Sequence, residues 1–215
     1  MAEQPKREKT PRGGGNGLSR RDFLKGTGAA VSAGVLVTED LLRAQTQRTS
    51  PVVGPGPVPV TLRINGQPRQ LTVEPRTTLL DALRNHLDLT GAKKVCDRGT
   101  CGACTVLLDG RAIYACTMLA IDAARGQEIT TIEGLAPQEQ LHPVSAAFVE
   151  HDAQQCGFCT PGFVMAAVAY LRENPNPTYE QVTHALGGNL CRCGTYMGVR
   201  HAVVEAALRG KGGRS

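Results

Sequence analysis

Cys96-Asp97-Arg98-Gly99-Thr100-Cys101-Gly102-Ala103-Cys104 places three cysteines and two glycines in nine residues. The start of this pattern, C-x4-C-x2-C, is the plant-type spacing of a [2Fe–2S] site. Cys116 is the next cysteine and completes a first set of four. Glycines let the backbone wrap closely around a cluster and aim N–H groups at sulfur. Such hydrogen bonds stabilise an anionic cluster and help set its potential.

Outward from this loop the pattern is that of short strands. Val60-Thr61-Leu62-Arg63-Ile64 alternates with period two, Asn65-Gly66 is a hairpin turn, and Leu71-Thr72-Val73 resumes the alternation. Thr78 to Leu87 reads as a helix with Leu79, Leu80, Leu83 and Leu87 on one side. Thr105 to Leu108, Ala112 to Tyr114 and Ile129 to Ile132 read as further strands, with Asp109-Gly110 as a turn. Short strands in a mixed sheet with one helix make an α+β domain.

Beyond Glu133-Gly134 the period becomes helical. Leu141, Val144, Ala147, Phe148 and His151 fit one face, and His142 before Pro143 suits a helix start. Phe163 to Leu171 is apolar nearly all round, which predicts a buried helix. Thr178 with Gln181 forms a capping box for a third helix, and Val199 to Ala207 supplies a fourth. The second cysteine set, Cys156, Cys159, Cys191 and Cys193, lies among these helices. Thr160 as N-cap and Pro161 at the first helical position would put the first pair at a helix N-terminus, where the dipole favours thiolates. Cys191 and Cys193 similarly precede the last helix, so the two pairs predict a four-sulfur cage between helices.

The chain has 215 residues, with 24 Lys and Arg, 19 Asp and Glu, no Trp and only 4 % aromatics, so its core rests on Val, Leu, Ile and Ala. The first 45 residues hold 8 Lys and Arg against 5 Asp and Glu, which leaves the remainder a surplus of only 2. That balance does not describe a nucleic-acid binder. No phosphate loop, dinucleotide fingerprint or Ser–His–Asp arrangement is visible, and the five histidines are scattered. Four disulfides, or two zinc sites with four thiolate ligands each, are the alternative uses of eight cysteines. Against disulfides, the elements suffice to fold unaided, and Cys191 and Cys193 are too close to bridge each other comfortably. Against zinc, C-x4-C is an uncommon spacing.

Ser19-Arg20-Arg21-Asp22-Phe23-Leu24-Lys25 resembles the twin-arginine export signal, and the weakly apolar run from Gly26 to Val37 is too short to span a bilayer. The expected organisation is a leader over 1–45, a Pro/Gly linker over 46–59, a ferredoxin-type domain over 60–136 and a helical domain over 137–210. The cysteine loop, Thr131-Ile132-Glu133-Gly134-Leu135, Gln155-Cys156-Gly157-Phe158-Cys159-Thr160-Pro161-Gly162 and Gly188-Asn189-Leu190-Cys191-Arg192-Cys193 occur in order. Together they resemble the iron–sulfur subunit of the xanthine oxidase family of molybdenum hydroxylases, most closely that of periplasmic aldehyde oxidoreductases.

The resemblance implies a plant-ferredoxin-like β-grasp domain followed by a four-helix bundle domain, each binding one [2Fe–2S] cluster. It implies Cys96, Cys101, Cys104 and Cys116 as one ligand set, and Cys156, Cys159, Cys191 and Cys193 as the other. It also implies that Gln155 and Cys193 lie near a molybdopterin cofactor held by a separate large subunit. For Gln155, a helix-end cap stands as the alternative. The expected assembly is a periplasmic hetero-oligomer. In it, electrons leave the molybdopterin centre through this subunit for an FAD-binding subunit or a cytochrome c, and no substrate site lies on this chain. Val95 stands where the family usually has Gly. Gly194-Thr195-Tyr196 replaces the commoner Thr-Gly-Tyr, an order also found in isoquinoline-type oxidoreductases.

Overall fold

Two hairpins lie at the edges of the sheet. Asn65 (φ 52°) with Gly66 (φ 77°), and Asp109 (φ 49°) with Gly110 (φ 83°), supply the two left-handed positions that a tight hairpin turn requires. They join β1 (Val58–Ile64) to β2 (Gln67–Val73), and β3 (Thr105–Leu108) to β4 (Arg111–Tyr114). The computed structural model describes residues 54–136 and 141–212. The leader and residues 46–53 of the expected linker lie outside the described residues. β5 (Glu128–Thr130) runs between the hairpins, parallel to β1 and antiparallel to β3, giving the order β2-β1-β5-β3-β4.

β1 starts at Val58, two residues ahead of the alternation visible in the sequence. The last strand ends at Thr130, and Ile132–Gly134 forms a 3-10 turn instead of extending it. Asn65 explains this break. Its Oδ1 accepts from Thr131 N–H at 2.9 Å and its Nδ2 donates to Thr131 Oγ1 at 3.0 Å, which satisfies the backbone where the ladder stops. The helix expected over 78–87 is one residue shorter at each end, and most of it is wound wider than an α-helix. Thr78 caps α1 (Leu79–Asp81), which continues as a π-helical turn over Ala82–His86. Leu79, Leu80 and Leu83 still reach the sheet core beside Leu62, Ile64, Val73, Val106 and Ile129. A further short helix, α2 (Ala120–Ala123), buries Ala120 and Ala123.

Four helices follow: α3 (Pro143–Glu150), α4 (Thr160–Glu173), α5 (Tyr179–Ala185) and α6 (Tyr196–Gly212). His142 caps α3, its Nδ1 accepting from Val144 N–H at 3.2 Å. Leu141 falls outside that helix and is exposed, whereas Val144, Ala147 and Phe148 are buried as the periodicity predicts. Thr178 and Gln181 form the capping box of α5. Helix α4 starts one residue earlier than expected. Cys159 occupies the N-cap position, Thr160 is already helical, and the Thr160 hydroxyl is buried without a hydrogen-bond partner.

β3 ties the two halves together. All four of its residues are buried, so both of its faces are covered. Val106 and Leu108 point into the sheet core, while Leu107 belongs to the helical core with Phe148, Phe163, Met165, Val168, Val199 and Val203. Helix α4 packs directly on β3. Phe163 of α4 meets Tyr196 of α6 edge-to-face at 6.2 Å between ring centroids. The loop leading into β3 carries the first cysteines and the N-terminus of α4 carries Cys156 and Cys159, so this contact places Cys101 of the first set and Cys156, Cys159 and Cys191 of the second along one groove.

Two candidate metal centres

The nine-residue cysteine loop turns back on itself through left-handed positions at Asp97 (φ 55°), Gly99 (φ 70°) and Gly102 (φ 69°). These turns aim backbone donors at sulfur. Thr100 N–H donates to Cys96 Sγ at 3.4 Å, and Gly99 N–H to Cys116 Sγ at 3.3 Å. Cys101 is near enough to Cys96 to shift its ionisation, and so is Cys116 to Cys104. The loop therefore gathers the four cysteines predicted from spacing. Burial raises the Cys96 thiol, but the N–H groups of Arg98, Thr100 and Cys101 and the Cys101 thiol outweigh it and bring it to about 6. Deeper burial pushes Cys104 up to about 12. The loop thus combines a rim that favours thiolate with a dry floor.

The second set is assembled from two chain segments. Cys156 and Cys159 lie on the turn into α4, and Cys191 and Cys193 lie just ahead of α6. Cys159 contacts Cys191, and Cys156 contacts Cys193. Thr195 Oγ1 lies 3.2 Å from Cys191 Sγ, and Cys191 N–H donates to Tyr196 Oη at 2.9 Å. Burial raises Cys191, but the Thr195 hydroxyl and backbone N–H groups prevail and hold it at about 7. Burial pushes Cys159 up to about 12. Thr195 and Tyr196 do not stand out in the sequence as contacts to a cysteine. Their place directly after Cys191-Arg192-Cys193 is the available signal.

All eight cysteines are free thiols. In both sets the sulfurs meet in pairs, the grouping that suits two irons bridged by sulfide. The glycine turns, the N–H groups at sulfur and the four-thiol donor sets all fit an anionic [2Fe–2S] cluster.

Gln155 is exposed next to Cys156 and four residues ahead of the cap of α4, so it does not cap that helix. Lys94 pairs with Asp81 at 2.8 Å and Asp97 at 3.1 Å, Lys93 donates to the Thr90 carbonyl, and Arg98 donates to the Cys96 carbonyl. Between the sets runs a groove of about 410 Å³, lined by Val95, Phe158, Leu190, Arg192 and four of the cysteines. Val95, Phe158 and Leu190 are each at least half exposed.

Comparison with known proteins agrees with this geometry. The 2Fe-2S iron-sulfur cluster binding domain family matches residues 62–131, and the [2Fe-2S] binding domain family matches residues 131–204. The aldehyde oxidoreductase iron-sulfur-binding subunit PaoA of Escherichia coli (strain K12) is 42 % identical, and the match covers 88 % of each chain. The chain belongs to the iron–sulfur subunits of the xanthine oxidase family of molybdenum hydroxylases. The nicotine 6-hydroxylase small subunit of Paenarthrobacter nicotinovorans is 47 % identical over 69 % of this chain and 89 % of its own length. The crystal structure of quinoline 2-oxidoreductase from Pseudomonas putida 86 matches with a TM-score of 0.66 at 44 % identity, covering 72 % of this chain and 98 % of that one. The aldehyde oxidoreductase of Desulfovibrio desulfuricans ATCC 27774 gives a TM-score of 0.68 at 44 % identity, but only 17 % of that longer chain is covered. As a member of this family the subunit carries two [2Fe–2S] clusters, one in each matched domain. A twin-arginine signal matches residues 17–37 and directs the chain to the periplasm.

Proposed function

We propose that this chain is the electron-transfer subunit of an exported, molybdenum-dependent aldehyde oxidoreductase. Cys96, Cys101, Cys104 and Cys116 hold one cluster in a ferredoxin-type domain over 60–136, of β-grasp form. Cys156, Cys159, Cys191 and Cys193 hold the other in a four-helix bundle over 137–210. Bound there, each cluster supplies reversible one-electron carriage. The observation that carries this reading is the assembly of two four-thiol sets beside one groove, each lined by polar groups that favour thiolate.

The chain's own residues hold and insulate these sites. The loop N–H groups and the Thr195 hydroxyl stabilise negative charge at sulfur, while the floor around Cys104 and the packing around Cys159 exclude water. The exposed groove between the sets, with Val95, Phe158 and Leu190, is an apolar surface of the kind a permanent partner covers. We assign that partner as a large subunit holding the molybdopterin cofactor, with exposed Gln155 and the half-buried Cys193 at its edge. Electrons then pass to an FAD-binding subunit or a cytochrome c. Substrate is bound by the large subunit alone. A second reading keeps the same role in an isoquinoline-type N-heterocycle hydroxylase. It draws on Gly194-Thr195-Tyr196, whose Thr195 and Tyr196 both touch Cys191, and on the isoquinoline 1-oxidoreductase subunit alpha of Brevundimonas diminuta, 44 % identical over 67 % of this chain.

The test is purification of the tagged chain from its native host under mild conditions, with iron, molybdenum, flavin and haem counted. Two irons per cluster, co-purifying molybdenum and oxidation of aldehydes support the proposal, and flavin or haem names the acceptor. Iron-loaded chain without molybdenum or a partner would overturn it in favour of a free carrier. Preference for N-heterocycles would select the second reading.

A further inference from the structure

Three hydrogen bonds strap the segment between α5 and α6 to the first cysteine loop and the strand behind it. Tyr114 Oη donates to the Gly188 carbonyl at 3.0 Å, Asn189 Nδ2 to the Gly102 carbonyl at 2.9 Å, and Leu190 N–H to the Cys101 carbonyl at 2.9 Å. Cys101 belongs to the first cysteine set, and Leu190 is bonded directly to Cys191 of the second. One backbone hydrogen bond therefore separates a residue of one set from the neighbour of a residue of the other.

Asn189 is the buried member of this strap, only 5 % exposed. The carbonyl it engages also accepts from Thr105 Oγ1 at 2.6 Å and from Thr105 N–H at 3.2 Å. Gly102 and Gly162 permit the close approach. A Cβ on Gly102 would collide with the Asn189 amide, and one on Gly162 would collide with the Gly102 carbonyl and the Ala103 backbone. The apolar contact between α4 and β3 is non-directional and does not by itself fix how the two sets face each other. Hydrogen bonds are directional, and these three fix that register.

We propose that Asn189 is a positioning residue that holds the two cluster sites at one separation and orientation. This rests on the reading that the eight cysteines hold two clusters. The experiment is low-temperature EPR of the fully reduced, purified complex, with iron counted on the same samples. Magnetic coupling between two reduced clusters depends on the inverse cube of their distance and on their relative orientation, so it reads the strap directly.

Wild-type complex is expected to show two signals with resolved splitting. Asn189→Ala is expected to lose that splitting to broadening while keeping its iron. Val182→Ala opens a gap in the core under α5 without touching the Gly102 carbonyl, and it is expected to keep the splitting. Unchanged splitting in iron-loaded Asn189→Ala would overturn the proposal, as would equal loss in Val182→Ala, which would reduce the effect to general loosening. If Asn189→Ala does not load, Tyr114→Phe removes only the outer bond, and its splitting is expected to shrink. No change there would overturn the proposal as well. Two unsplit signals in the wild type would overturn the strap alone, whereas fewer than two signals would overturn the cluster reading and the strap with it.

Discussion

The two cysteine sets reach similar chemistry by opposite routes. Three cysteines of the first set lie within nine residues, and left-handed turns at Asp97, Gly99 and Gly102 bend that stretch around its sulfurs. The second set is built from two distant pairs, and only the packing of α4 and α6 brings Cys159 against Cys191. A loop site is thus encoded locally, and a helix-end site is encoded by the core beneath it. Damage should therefore stay local in the first set and spread in the second.

Serine substitutions test this most severely. Cys96→Ser is expected to abolish one of the two EPR signals and leave the thermal midpoint of the helical half nearly unchanged. Cys96 sits half exposed at the loop rim and belongs to neither hydrophobic core. Cys191→Ser is expected to abolish the other signal and also lower that midpoint, because Cys191 is buried within the helical core. Loss of both signals in Cys96→Ser, or an unshifted midpoint in Cys191→Ser, would break the contrast.

A single methyl group probes the place where the two routes meet. In Gly162→Ala the new Cβ runs into the backbone of Gly102 and Ala103, which cannot swing aside as a flexible side chain would. Overpacking of this kind costs about 1–3 kcal/mol. Both clusters should load poorly, and the urea midpoint should fall. Gly66→Ala is the matched control. Its φ of 77° makes alanine strained by about 1–2 kcal/mol, but nothing lies within 4 Å of the added Cβ. It should therefore lose stability while keeping its iron. Equal iron loss in both variants would show that loading follows overall stability and not the contact at Gly162.

The same contrast explains what can be read from the sequence. The first site is legible because C-x4-C-x2-C and its glycines are a local signal, and the hairpins at Asn65-Gly66 and Asp109-Gly110 announce themselves in the same way. The capping box at Thr178 is equally local. The start of α4 differs from its sequence signal by one residue. Thr160 and Pro161 look like an N-cap followed by its proline, but Cys159 takes the cap and Thr160 enters the helix with its hydroxyl unpartnered. The break after Thr130 is hidden because it depends on the Asn65 side chain, which lies far away in sequence. The roles of Thr195, Tyr196 and Asn189 are hidden because each acts through a contact that exists only once the chain has folded back on a cysteine or a carbonyl. Spacing alone does not report such contacts.

The smallest expected effect is a pH response confined to the helical half. Burial, helped by the charge of Arg172, lowers the pKa of His142, and its neutral Nδ1 accepts the cap hydrogen bond of α3 from Val144 N–H. In the folded state His142 therefore resists protonation more than in the unfolded chain, whose histidine titrates near about 6.5. The unfolded state binds more protons in that window, so stability is full above the unfolded pKa. It falls as pH drops from there toward the depressed folded value. Loss of a cap of this kind costs about 1 kcal/mol. Hydrogen-exchange protection factors, corrected for the intrinsic rate at each pH, should accordingly fall from pH 7 to pH 5 over 143–153, next to the loop that carries Cys156, and should stay unchanged for the amides of β3 and β5. His142→Asn supplies a cap that does not titrate and should flatten the response. A response of the same size in that variant would move the titrating group elsewhere, and one spread through the sheet would show that the two halves soften as a single unit.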